Sequence, residues 1–239
     1  MTNLQGTDAV PDGGTDPDAS GETDANADTD DQRAAEADGN DAAAEDVDDA
    51  SEESAEEAEY AVLLDVMPRG LPEDERPEYQ KSPVAYALGE EEFRLFELTL
   101  TEDADVSVSD RVQLTPREES AAVDRYREVD YADLTRNAET EIEYAVADIV
   151  DTHEQRFVDF YNEAGPITLR LHQLNLLPGI GKKLRNNILD ERKRKPFESF
   201  EELEERVSGL HSPKDDLVER IVEEIEEEDL KYRRFVAED

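Results

Sequence analysis

Residues 1–59 hold 21 Asp or Glu against one Arg, and apart from Leu4 almost no large apolar side chain. Such a segment cannot bury enough apolar surface to offset the entropy lost on ordering it. Folding is therefore expected in the remaining 180 residues, with a disordered acidic tail over 1–59. Those 180 residues still carry a net charge of −21 within a total of −41. Their acids alternate with periodic apolar residues, as on the surface of a folded body. Dense carboxylates keep a protein hydrated when salt screens ordinary repulsion. Together with the low Lys content, this suits the salt-rich cytoplasm of a halophilic archaeon. An acidic regulator of a low-salt cell is the alternative.

The absence of Cys excludes disulfides, thiolate zinc sites and iron–sulfur clusters. No apolar run approaches the ~20 residues that span a bilayer. The N-terminus lacks the basic start and apolar stretch of a signal peptide. A cytoplasmic protein with no membrane partner is expected. His153, His172 and His211 are scattered without paired ligand spacing, so no metal or cofactor is expected. No Ser-His-Asp set, P-loop or metalloprotease signature occurs, so no catalytic residue is assigned and the protein is read as non-enzymatic.

Order is expected from Tyr60. Tyr60–Met67 is a run of strand formers that ends at Pro68-Arg69-Gly70. Pro83–Leu88 and Phe93–Thr101 read as two further strands. Val106, Val108, Val112 and Leu114 mark one or two more. Four or five short strands in this span suit a small barrel or rolled sheet over 60–118. After Pro116 the period becomes helical. Asp130 and Asp133 are candidate N-caps for a helix through Leu134, Ile142 and Ile149. Further helices are expected from Thr152 to Tyr161, Leu169 to Leu176, Lys182 to Arg194, Phe200 to Val207 and Pro213 to Glu228. Ser199 with Glu202 forms a capping box before the fifth. Connecting helices thus fill 119–166, and a second helical region fills 167–236.

Between the third and fourth helices lies Leu177-Pro-Gly-Ile-Gly-Lys-Lys183. Glycines permit backbone angles closed to other residues and let a phosphate approach the main chain. The free amides of the following helix bind anions, helped by the helix dipole. Lys182 and Lys183 add charge there, and the 182–195 stretch has seven Lys or Arg against two acids. With Leu174 and Leu177 before it and Ile188 and Leu189 after it, the pattern is that of a helix-hairpin-helix. Lys195-Pro-Phe-Glu-Ser199 resembles the linker that follows many such hairpins. Arg185 stands where that pattern usually has Ala. It either loosens the packing of the two helices or adds a phosphate contact. The candidate nucleic-acid-binding residues are Gly179, Ile180, Gly181, Lys182, Lys183, Arg185, Arg192, Lys193, Arg194 and Lys195. The rival reading is a compact helical corner that touches no nucleic acid.

The arrangement as a whole resembles the archaeal DUF655 family over residues 60–236. The resemblance rests on Tyr60-Ala-Val-Leu-Leu-Asp-Val-Met-Pro-Arg-Gly70, Ser82-Pro83 through Phe93-Arg-Leu-Phe-Glu97, Tyr131-Ala-Asp-Leu-Thr135 and Leu176–Lys183. It implies an α+β chain in which a small OB-like β-barrel precedes an all-α helix-hairpin-helix region, and a role near RNA, in translation or ribosome assembly. An OB-type barrel would add a strand face for single-stranded nucleic acid. Tyr86, Phe93 and Phe96 are then either base-stacking residues or core. RNA is expected as partner ahead of DNA. A protein-interaction module in transcription or translation, and a DNA-binding accessory of repair type, are the alternatives. Lys231, Arg233 and Arg234 form a weak second basic patch, which either touches RNA or balances the acidic run Glu223–Asp229.

Overall fold

The computed structural model describes residues 58–237, apart from 73–74, 78–79, 117–119 and 228. The expected tail lies outside the described residues except for Ala58 and Glu59, and Glu59 already belongs to the first strand. The described residues form five strands: β1 (Glu59–Met67), β2 (Val84–Gly89), β3 (Leu95–Leu100), β4 (Arg111–Thr115) and β5 (Val123–Glu128). They make one curled antiparallel sheet, a half-barrel of order β4-β1-β2-β3-β5. The fold class is α+β, as expected.

Successive residues of a strand point to opposite faces. Ala61, Leu63, Ala85, Ala87, Phe96, Leu98 and Leu114 therefore pack together on one face. Val62, Leu64, Tyr86, Leu88 and Leu95 face the helices on the other. Burial on both faces explains why β1 reads as a near-continuous apolar run. Tyr86, Phe93 and Phe96 are 4%, 1% and 4% exposed. Phe93 packs on Phe157 and Phe96 on Tyr126. All three are core residues, so the base-stacking option for them is withdrawn.

Five helices follow: α1 (Arg136–Thr152), α2 (Glu154–Glu163), α3 (Lys182–Arg194), α4 (Phe200–Arg206) and α5 (Pro213–Glu226). α1 crosses β1 and β2 and packs on α5. The apolar cluster on that side runs on through Leu174, Leu177, Ile180, Ile188, Phe197, Leu203 and Leu217. Sheet and hairpin thus share one continuous core, across residues 118 and 166.

Three local expectations are corrected. β5 lies in the stretch read as connecting helices. It is an edge strand with mainly charged, exposed residues, so its apolar alternation is too weak to mark it. The helix α1 is capped by Thr135, whose Oγ1 accepts from Ala138 N at 3.1 Å and donates to Asp65 on β1 at 2.6 Å. Asp130 merely precedes a 3-10 turn at Tyr131–Asp133, without a side-chain cap bond. Tertiary linkage to Asp65 thus favours Thr135 over the two aspartates. The helix expected at Leu169–Leu176 shrinks to a 3-10 turn at Gln173–Leu176. Upstream of it Thr168 Oγ1 accepts from the amides of Arg170 and Leu171, closing a tight turn, and Pro166 bridges to His172.

Candidate nucleic-acid interface

The turn at Pro178–Gly181 and the helix after it form where the sequence places them, whereas the first arm of the hairpin is the short 3-10 turn Gln173–Leu176 in place of the expected helix. Leu174, Leu177 and Ile180 are buried and fix this arm to the core. Gly179 turns the chain at φ +72°, where a side chain is strained. Gly181 is the N-cap of α3 with an ordinary extended backbone. A Cβ on either glycine would meet no atom within 4 Å. The surface over both is open.

At its start α3 leaves first-turn amides without intrahelical partners, and Gly181 supplies no side-chain cap. Lys182 and Lys183 flank this point, both exposed, and neither joins an ion pair among the described residues. Backbone N–H groups, the positive end of a helix dipole and two exposed lysines thus occur together at the start of α3. The arrangement suits a phosphate.

A residue that sequence reasoning missed holds the hairpin in shape. Asn175 Nδ2 donates to the Ile180 carbonyl at 2.8 Å, and its Oδ1 accepts from Arg185 Nη1 at 3.1 Å. Arg185 also donates to Asn186 Oδ1. The residue that replaces the usual Ala thus braces the second arm of the hairpin against its first. The one polar side chain within Leu174-Asn-Leu-Leu177 was the available signal for Asn175.

The rest of the basic island is placed differently. Arg192 Nη1 donates to Tyr161 O and Nη2 to Ala164 O, both at 2.9 Å, closing the C-terminal end of α2. Its burial lowers its pKa. Lys193 pairs with Asp190 at 3.2 Å, Arg194 pairs with Glu191, and Lys195 reaches Glu198 and Glu202 at 3.1 and 3.3 Å. At 1.5 Å rise per residue, Lys193 stands ~16 Å along the axis from Lys182. The structure therefore brings Gly179–Lys183 and Arg185 together and sets Arg192–Lys195 apart, engaged elsewhere.

The linker after α3 is also fixed. Asn162 on α2 receives the Phe197 amide and donates to the Phe197 carbonyl, at 2.8 and 2.9 Å. Arg206 lies over the Phe197 ring and donates to the Glu191 and Lys195 carbonyls. Ser199 Oγ caps α4 through Glu202 N at 3.1 Å, while Glu202 accepts from Glu198 N rather than from Ser199.

Beside the first arm is a groove of about 900 Å³. Leu176, Leu177, Pro178, Val218 and Val222 floor it, with Tyr144, which is 68% exposed. Glu143, Asp215, Glu219, Glu223 and Glu226 rim it. Lys214 and Arg220 also line it, paired with Asp151 and with Glu223 and Glu224, so the groove is acidic on balance and poorly suited to a phosphate.

His172 is buried, and its Nδ1 accepts from Leu174 N at 3.2 Å. Burial and the nearby Arg192 and Arg185 lower its pKa, which favours its neutral form. Among the described residues, no group of three or more His, Asp or Glu is arranged to hold a metal ion. Nor is any described helix long and apolar enough to cross a membrane.

Among the described residues, a curled five-stranded half-barrel with five α-helices packed against it defines a class of α+β protein with known relatives. The chain belongs to the DUF655 family, described as a protein of unknown function, whose model matches residues 57–237. An uncharacterised protein of Methanocaldococcus jannaschii is 37% identical over 178 residues, which cover 74% of this chain and 79% of that one. The crystal structure of a DUF655 protein from Archaeoglobus fulgidus is similar with a TM-score of 0.69 and 42% identity. That likeness covers 75% of this chain and 99% of the other.

Proposed function

We propose that this protein is a non-enzymatic nucleic-acid-binding protein that grips a phosphate backbone through the hairpin at Gly179–Lys183. The observation that carries this reading is the uncapped start of α3, open to solvent and flanked by two unpaired lysines, in a folded body of net charge −21. Contacts of this kind fix backbone position and carry no base information. RNA is favoured over DNA on the family resemblance, and unpaired segments of it over duplex on charge density. A duplex presents one charge per ~1.7 Å, roughly twice that of a single strand, and an acidic body repels it more strongly. The curled sheet is read as an OB-like barrel left open between β4 and β5, and the role as one in translation or ribosome assembly. Crosslinking in cells, followed by sequencing of the attached nucleic acid, tests this reading. RNA joined to peptides containing Lys182 and Lys183 is the expected result; attached DNA alone, or no nucleic acid, contradicts it.

The acidic surface is suited to the salt-rich cytoplasm of a halophilic archaeon, where salt screens its self-repulsion. The melting temperature then rises from low to multimolar KCl; a fall would contradict this origin.

The groove beside the hairpin favours a second reading, a protein-interaction module. Its apolar floor and acidic rim complement a basic amphipathic segment of a partner. A Tyr144→Glu change would abolish a nuclease-resistant complex with such a partner and leave RNA binding intact. A complex untouched by this change would remove the groove from consideration.

A further inference from the structure

Lys231, Arg233 and Arg234 follow the acidic run Glu223–Asp229, and their simplest role would be to neutralise it. The contacts differ from that. After α5 the chain folds back along it, and the fully buried Glu224 carboxylate accepts the backbone amides of Arg234, Phe235 and Val236 at 2.8, 2.8 and 3.2 Å. Arg220 Nε holds the other oxygen at 2.8 Å. Phe235 packs on Phe160 with ring centroids 4.9 Å apart, and Ala237 N donates to Glu92 O at 3.2 Å. The backbone of this short segment is therefore pinned, and its side chains are presented from a fixed frame.

Of its cations, only Arg233 bonds inward, through Nη2 to the Glu224 carbonyl at 3.1 Å. Lys231 and Arg234 are exposed, and neither joins an ion pair among the described residues. Lys193, Arg194 and Lys195 at the far end of α3 have carboxylate partners and Arg192 has carbonyl partners, so this is a real difference in placement. Lys231 Nζ lies 5.2 Å from the centroid of the Tyr232 ring. Lys231–Arg234 form one wall of a cleft of about 270 Å³ whose other wall is Ile167, Gln173 and Leu176. No described residue lining this cleft is acidic. Ile167 belongs to the tight turn whose tip exposes Leu169 and Arg170. Arg234 also borders a separate cleft with Glu91, Glu92, Asp159 and Glu163, so an anion is accepted from the Lys231 side.

We propose that Lys231, Tyr232 and Arg234, with Arg170 on the facing turn, form a second contact for the RNA held by the hairpin. The cations take phosphates and the Tyr232 ring takes an unpaired base. Two lysines alone are a small attraction for a polyanion against a body of net −21, and a second cationic contact supplies what they lack. An aromatic ring beside cations, between an amide and apolar side chains, matches a nucleotide better than a carboxylate-rich peptide, which has no flat face to stack. The turn Gln173–Leu176 lines this cleft and leads into the hairpin, so it borders both contacts. The identity of the ligand rests on the function proposed above; the ledge itself rests on its own geometry.

The test is binding of a structured RNA with single-stranded loops across a salt series, using the full chain. It compares the wild type with R170A/K231A/R234A, Y232L and K182A/K183A. Arg233 is left in place because it holds the Glu224 carbonyl, and an unchanged melting temperature verifies each fold. Five phosphate contacts give a slope of log affinity on log salt of about −3.5, and the hairpin pair alone about −1.4. The expected result is a slope near −3.5 for the wild type and near −1.4 for the triple variant, with weaker binding by Y232L. A triple variant equal to the wild type, while K182A/K183A binds weakly, overturns the ledge and leaves the hairpin standing. Loss in the triple variant alone upholds the ledge and removes the hairpin. A wild type that binds no RNA, or poly-L-glutamate that competes as well as RNA of equal charge, overturns the proposal in favour of an acidic protein partner.

Discussion

Arg220 donates Nε to the wholly buried Glu224 carboxylate at 2.8 Å, four residues along the same helix. The pair is an anchor for the C-terminal segment as much as an ion pair, because Glu224 also receives three consecutive amides of that segment. Removing one partner of a buried pair leaves an uncompensated charge and costs about 3–5 kcal/mol. Glu224→Ala is expected to destabilise the protein by that amount in denaturant unfolding. Amide exchange at Arg234, Phe235 and Val236 should become fast as well. Unchanged exchange there would show that Phe235 packing alone holds the segment.

Arg192 is expected to matter for stability and not for binding. Its two hydrogen bonds to the Tyr161 and Ala164 carbonyls join α3 to the end of α2. Each charged hydrogen bond contributes about 1.5–3 kcal/mol. Arg192→Met should lower stability by about 3–6 kcal/mol and leave RNA affinity unchanged in the folded protein. A folded Arg192→Met protein with weakened binding would return Arg192 to the phosphate contacts.

The two glycines of the hairpin should separate folding from binding. Gly179 sits at φ +72°, so Gly179→Ala strains the backbone and costs about 1–2 kcal/mol. Gly181 has φ −79°, and Gly181→Ala should cost under about 1 kcal/mol. Its methyl would nevertheless stand on the surface that a phosphate approaches, so affinity should fall. Calorimetric unfolding and RNA titration of both variants check this; unaltered affinity in Gly181→Ala means that no group approaches the backbone there.

Asp216 carries a pH dependence. Burial, with the negative Glu219 and Asp215 beside it, raises its pKa to about 6. A raised carboxyl favours the protonated folded form, so stability falls as pH rises from about 4 to 6 and is flat above. Asp216→Asn should therefore stabilise the protein at pH 8 and have little effect near pH 4. The gain should be about 1–2 kcal/mol, below the full linkage, since solvent screens this part-exposed carboxyl and the first turn of α5 favours the carboxylate through the helix dipole. Equal effects at both pH values would contradict it.

The sequence is legible where structure is local. Pro178, Gly179, Gly181 and Pro196 punctuate the chain around α3, and its bounds follow from them. The central strands declare themselves by apolar content, as in Tyr60–Met67. β5 hides because an edge strand with charged residues has no strong period. Thr135 outcompetes Asp130 and Asp133 through Asp65, 70 residues away, and no local pattern carries that. The same limit applies to the site. A run of seven cations reads as one island, yet Arg192 reaches carbonyls 31 and 28 residues back. Lys193–Lys195 have acids within reach on their own helix and linker, whereas Lys182 and Lys183 have none. Charge counts along the chain cannot separate paired from free cations; the folded neighbours do.

The central claim is that Lys182 and Lys183, at the open start of α3, hold phosphate. The most direct measurement is the salt dependence of RNA affinity for the wild type and the K182A/K183A variant. Loss of two contacts should make the slope of log affinity on log salt shallower by about 1.4 and lower affinity by about tenfold or more at low salt. An unchanged slope and affinity, in a variant that melts at the wild-type temperature, would contradict the account.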